Sequence, residues 1–89
     1  MSRDWDDPEY KKLRAIVKKR DNHVCQMPGC KSKKALKVHH ILTWARHRHL
    51  RYDEKNCITL CRCCHDSISK KEHLYAKLFL KIVRQKYGL

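Results

Sequence analysis

Ile58-Thr59-Leu60-Cys61-Arg62-Cys63-Cys64-His65 is the stretch that decides the fold. Three strand-favouring residues run straight into three cysteines and a histidine, so a short strand hands over to a candidate metal knuckle. Thirty residues separate Cys61 from the end of a second cysteine pair, Cys25-Gln26-Met27-Pro28-Gly29-Cys30. Cys25 and Cys30 enclose four residues with Pro-Gly at the tip of a tight loop, and Cys61 and Cys64 enclose two. Loops this short let both sulfurs of a pair converge on one ion. Two such pairs joined by a long excursion build a tetrahedral four-thiolate zinc site. Adjacent Cys63 and Cys64 cannot easily both reach one ion, so Cys61 pairs with Cys64 and Cys63 is spare. Cys57 is expected to be a small buried residue. The bland alternative is six ordinary buried thiols, and the paired spacing weighs against it.

Composition makes a staple necessary. The chain has 89 residues, 42% of them hydrophobic. That is room for one domain, residues 1–89, with a thin core, and domains of this size usually need a metal, disulfides or a partner. The longest apolar runs are three residues, so no membrane-spanning helix is expected. The start, Met1-Ser2-Arg3-Asp4-Trp5-Asp6-Asp7, is acidic and has no apolar core, unlike a secretory signal. The expected location is therefore the reducing cytoplasm, where cysteines bind metal rather than pair as disulfides.

Charge points to the partner. Lys and Arg number 22 against 9 Asp and Glu, a formal net charge of +13. Four thiolates on one zinc ion lower that only by two, and a second divalent ion restores it. A field of this sign attracts phosphate, which favours nucleic acid over a merely solvated surface.

Around the cysteines, local signals give an α+β chain. Asp7-Pro8-Glu9 reads as a helix start, and Tyr10, Leu13, Ile16 and Val17 recur at helical spacing over about 8–20. Residues 35–41 read as a short strand, Ile58-Thr59-Leu60 as a second, and Cys61 to about Ile68 as a short helix. A helical turn is expected near Trp44–Arg48. Ser69-Lys70-Lys71-Glu72 matches a capping box opening a helix over about 70–87. In that helix Leu74, Tyr75, Leu78, Phe79, Ile82 and Val83 form one broad apolar face, and Gly88 suits its C-cap.

Four of the seven histidines, His23, His47, His49 and His73, sit in charged stretches and need no role beyond the surface. His39-His40 at the end of the first strand and His65 directly after a cysteine ligand differ. A shared zinc would draw these three towards one place, with Asn56 just before the second strand.

Val38-His39-His40-Ile41, then Asn56, then Leu60-Cys61-Arg62-Cys63-Cys64-His65 resembles an HNH nuclease, of the zinc-stapled type often encoded by bacteriophages and bacteria. Leu50-Arg51-Tyr52-Asp53 leading to Asn56-Cys57-Ile58-Thr59-Leu60 resembles that group's loop into the second strand. The likeness runs from Cys25 to about Ile68. It implies a ββα-metal (His-Me finger) fold around one catalytic divalent ion, flanked here by the N- and C-terminal helices and stapled by Cys25, Cys30, Cys61 and Cys64. Spacing alone leaves open which of His39 and His40 is a ligand. The resemblance implies that His40 is the general base, His39 and His65 are metal ligands, and Asn56 holds the loop and orients the base. His39 stands where the family often has an aspartate, and Cys57 where a glycine is common. A two-imidazole site is softer and should accept transition metals, Mn2+ among them, besides Mg2+.

The chemistry suits those types, because DNA hydrolysis needs a base titrating near neutrality and a cation on the scissile phosphate. The expected activity is metal-dependent endonucleolytic cleavage of DNA with low sequence specificity. The alternatives are a zinc-stabilised module that binds nucleic acid without cutting it, and an accessory nuclease working with phage DNA-packaging proteins. Only His39, His40, Asn56 and His65 favour the enzyme over the binding module.

Overall fold

A computed structural model of the chain describes residues 7–43 and 45–88. The acidic leader before Asp7, and Trp44 of the expected helical turn, lie outside the described residues.

The middle layer is a two-stranded antiparallel sheet of β1 (Leu36–His40) and β2 (Cys57–Cys61). Its register pairs Leu36 with Cys61, Val38 with Thr59, His39 with Ile58 and His40 with Cys57. Side chains alternate faces along a strand, so His39 shares a face with Ile58 and Leu60, whereas His40 shares the other with Val38 and Cys57. Helix α1 (Pro8–Arg20) covers the His40 face with Tyr10, Leu13 and Val17. Helix α3 (Glu72–Lys86) covers the His39 face with Phe79 and Val83, joined by Ile68. Every residue of β2 is buried because both faces of the sheet are covered. The short helix α2 (Arg62–Ser67) follows β2 without a gap and completes a ββα unit.

Local chemistry explains the helix ends. The Asp7 side chain accepts the Glu9 amide at 2.9 Å, Pro8 opens α1, and Lys18, Lys19 and Arg20 occupy its last turn, where cations complement the dipole. Helix α2 is capped by the Cys61 sulfur, which accepts the Cys64 amide.

Three expectations are corrected. Ser69 does not cap α3. Its amide bonds the Asp66 carbonyl and so extends the turn that ends α2. Lys70 then reverses the chain at φ +68°, and α3 starts at Glu72 with Lys71 at the N-cap and no side-chain cap. The apolar face of α3 is shifted from the one expected. Phe79 and Val83 are buried, and Tyr75, Ala76, Leu80 and Ile82 pack beside them. Leu78 and Leu74 are rotated away by roughly 100° or more at about 100° per residue, and Leu74 is 67% exposed. Ile16 likewise sits off the Tyr10–Leu13–Val17 stripe, 39% exposed. In the long loop, an amide–carbonyl bond from His47 to Thr43 is followed by 3-10 turns at Arg48–Leu50 and Glu54–Asn56. The helical turn expected near Trp44–Arg48 therefore extends further along the chain.

Behind β2 lies an ion pair that the sequence did not announce. The Arg20 guanidinium grips Asp21 through Nε to Oδ1 and Nη2 to Oδ2, both at 2.9 Å. The remaining donors reach the carbonyls of Glu54 and Cys57, each at 2.7 Å, and the Tyr87 hydroxyl at 3.4 Å. Asp21 is fully buried; its Oδ2 accepts the Thr59 amide at 3.0 Å, and Lys86 stands 3.6 Å from its Oδ1. The Gln26 amide bonds the Thr59 carbonyl at 3.0 Å. Backbone groups on the edge of β2 away from β1 thus find partners in the turn after α1, as buried backbone groups require.

Candidate functional site

The cysteines converge. The sulfurs of Cys25, Cys30, Cys61 and Cys64 all lie within 4.8 Å of one another. Four sulfurs about 2.3 Å from a central zinc would be about 3.8 Å apart, and Cys30 Sγ is 3.8 Å from Cys61 Sγ. Backbone turns pre-form both knuckles: the Cys30 amide donates to the Met27 carbonyl at 2.9 Å and the Cys64 amide to Cys61 Sγ at 3.4 Å. That amide bond is the main reason the Cys61 thiol is lowered to about 7, whereas burial pushes the Cys25 and Cys64 thiols up. Burial opposes ionisation of Cys25 and Cys64, so a full set of thiolates here needs a cation between them. The donor set and spacing fit zinc. Cys63 is exposed, and Cys57 is buried with its thiol pushed up to about 12 by desolvation. Neither belongs to the cluster. Among the described residues, these four cysteines are the one group of three or more metal-ligating side chains.

The histidines divide between the two faces of the sheet. His39 meets His65 of α2 edge-on, with ring centroids 5.5 Å apart and planes at 75°, and Phe79 of α3 closes the other side at 5.8 Å. Imidazoles sharing one ion through bonds of about 2.1 Å have centroids roughly 4.5–5.5 Å apart. The His39–His65 separation lies at the upper end of that range, so the pair could hold an ion. His65 is partly exposed, and Asp66 Oδ1 lies 3.9 Å from its Nδ1.

His40 points the other way. Its ring lies edge-on to Tyr10 of α1 at 6.1 Å, and its Nε2 is 2.9 Å from the Arg51 carbonyl oxygen. A carbonyl can only accept, so Nε2 carries a proton, and in the neutral form of the ring the lone pair is on Nδ1. Both His39 and His40 are 6% exposed.

Asn56, buried at the end of the Glu54–Asn56 turn, fastens the loop that leaves β1. Its Oδ1 accepts the Leu42 amide at 2.9 Å, its Nδ2 donates to the Leu42 carbonyl at 3.0 Å, and its own carbonyl accepts the Ile41 amide at 2.8 Å. His39 and His65 are therefore brought together. His40 is set apart from them across the strand, and Asn56 touches the backbone beside the histidines rather than their rings.

Two contributors were missed in the sequence. The Arg51 carbonyl that fixes the His40 ring leaves no side-chain signal. Arg20 brackets Asn56 by holding the carbonyls of Glu54 and Cys57. Its one clue was Asp21, an acidic residue at the C-terminal end of a basic helix, where the dipole disfavours it.

No helix among the described residues is long and apolar enough to cross a membrane. No curated protein and no solved structure matches the chain. The family model described as HNH endonuclease matches residues 23–71, from just before the first cysteine pair to the start of α3. With its ββα unit, its clustered cysteines and a match covering more than half its length, the chain belongs to the HNH endonuclease family.

Proposed function

We propose that the chain is a metal-dependent endonuclease that hydrolyses DNA phosphodiester bonds with little sequence preference. In this reading His40 is the general base, His39 and His65 hold the catalytic divalent ion, and Asn56 and the Arg51 carbonyl position the base. Cys25, Cys30, Cys61 and Cys64 hold a structural zinc. The observation that carries the reading is the placement of two adjacent histidines on opposite faces of one strand. Neighbouring histidines face opposite sides, one paired with a second imidazole and the other locked by a carbonyl into the tautomer whose Nδ1 can take a proton.

His40 accepts a proton from the attacking water, and the Arg51 carbonyl stabilises the imidazolium that results, since Nε2–H remains its donor. A divalent ion at His39 and His65 would supply charge for the phosphate and the leaving oxygen. Asn56 keeps the segment after β1 in register, so that the two histidines cannot exchange faces. The positive charge of the chain supplies a field for DNA, and the reading places the protein in the cytoplasm of a bacterial cell.

The experiment is incubation with supercoiled plasmid across Mg2+, Mn2+, Co2+, Ni2+ and Zn2+, with nicked and linear products quantified. Cleavage is expected with at least one ion and none without. Tight DNA binding with no cleavage under any ion would favour the binding-module alternative.

A further inference from the structure

We propose that the outward face of α1 is the surface that docks duplex DNA, gripping the phosphate backbone on the side of the sheet where His40 lies. This rests on the DNA reading above and assigns its interface.

A shallow groove of about 580 Å3 is lined by Lys11, Arg14, Ala15, Lys18, Lys19 and His23, with no acidic residue among them. Lys11, Arg14, Ala15 and Lys18 follow helical i, i+3, i+4, i+7 spacing, so they share a face. Ala15 is the small floor and the basic side chains are the walls. Cations three and four residues apart repel one another, and the one acidic residue of α1 is Glu9 in its first turn. A polyanion in the groove would meet several of these cations at once. From Lys11 to Lys18 the helix rises about 10.5 Å at about 1.5 Å per residue, and a DNA strand places a phosphate every 3.4 Å or so of duplex axis. Laid along the duplex axis, the row therefore spans about three phosphate steps.

Position distinguishes this patch from the cations of α3. The Arg14 guanidinium lies over the Tyr10 ring, 5.2 Å from its centroid, and that ring is edge-on to His40 at 6.1 Å. One aromatic ring separates the groove from the base. The cations of α3 are differently placed: Lys86 is drawn to Asp21, and exposed Leu74 and Leu78 interrupt the same helix. Phosphate contacts of this kind fix a duplex in place without reading its sequence.

The test uses two triple variants of equal charge change, Lys11→Gln/Lys18→Gln/Lys19→Gln on α1 and Lys77→Gln/Lys81→Gln/Arg84→Gln on α3. Gln keeps helix propensity close to that of Lys and Arg. Arg14 is left in place so that its packing on Tyr10 survives, and circular dichroism checks the fold. Affinity of the zinc-loaded chain for a short duplex is measured by fluorescence anisotropy across salt concentrations, without added divalent ion so that nothing is cut. Each lost phosphate contact reduces the log–log salt slope by about 0.9. The α1 triple is expected to lose about 2–3 from the slope, and the α3 triple less than about 1. Equal losses from both, or an unchanged slope for the α1 triple while the wild type binds steeply, would overturn the α1 assignment and leave the DNA reading intact. A wild type that does not bind duplex at all would overturn both.

Discussion

Asn56 closes both polar ends of its side chain on the backbone of Leu42, Oδ1 accepting the amide and Nδ2 meeting the carbonyl. The amide side chain behaves as one more residue of strand pairing just past the end of the sheet. It continues the ladder where β1 stops at His40, so the segment carrying both histidines is anchored on either side.

Asn56→Ala should therefore cost stability and activity together. Two backbone groups beside a buried site lose their partners, at about 1–3 kcal/mol for each left unsatisfied. Urea unfolding should show the loss, zinc content should stay at one per chain, and cleavage should fall. Asn56→Asp should recover less than full stability, because it can accept the Leu42 amide but no longer donate to the Leu42 carbonyl.

Asp21 is the more dangerous position. Replacing it by alanine strands the Arg20 charge, whose side chain is largely buried, and leaves the Thr59 amide open. Removing one partner of a buried ion pair typically costs about 3–5 kcal/mol, a large share of a small domain's total. Asp21→Ala should unfold at far lower urea than the wild type or fail to accumulate. Lys86→Gln removes only the longer, more exposed contact to Asp21 and should shift the midpoint slightly.

Zinc removal should unfold the chain. Thiolate ligands compete with protons, so metal affinity falls as pH falls and binding releases protons. Retained zinc, followed by elemental analysis after dialysis against a chelator, should be near one per chain at pH 8 and drop steeply towards pH 5, with the circular-dichroism signal following. Cys63→Ser should leave both unchanged, while Cys25→Ser or Cys64→Ser should abolish both.

Lys70 offers a gain. It holds φ +68°, which costs an L-residue about 1 kcal/mol that glycine does not pay. Part of this is offset by the greater freedom of glycine in the unfolded chain. Lys70→Gly should raise the urea midpoint modestly without altering cleavage.

The legible parts of this protein are those whose cause is local. Asp7-Pro8-Glu9 starts a helix by its own chemistry, and the cysteine spacing specifies a cluster whatever surrounds it. The ββα unit followed from short apolar runs beside those cysteines. What stayed hidden depends on tertiary partners. Ser69 has the sequence of a cap, but the end of α2 takes its amide first. Leu74 and Leu78 are apolar like Tyr75 and Phe79, and only the packing of α3 against the core selects which are covered. Arg20 reads as one more cation of a basic helix until Glu54, Cys57 and Asp21 gather around it. At the candidate site, His39, His40 and His65 were expected to gather in one place, but strand alternation turns His40 to the opposite face, and the Arg51 carbonyl that fixes its ring carries no sequence signature.

The central claim is that these two adjacent histidines have different jobs, and a metal titration of plasmid cleavage tests it most directly. His39→Ala and His65→Ala should lose activity that rising divalent-ion concentration partly restores, because each removes one ligand. His40→Ala should lose about 10²–10⁴-fold and recover nothing from added metal, while zinc content, fold and DNA affinity stay near wild type. Near-wild-type cleavage by His40→Ala, or metal rescue of His40→Ala with none for His39→Ala, would contradict the account.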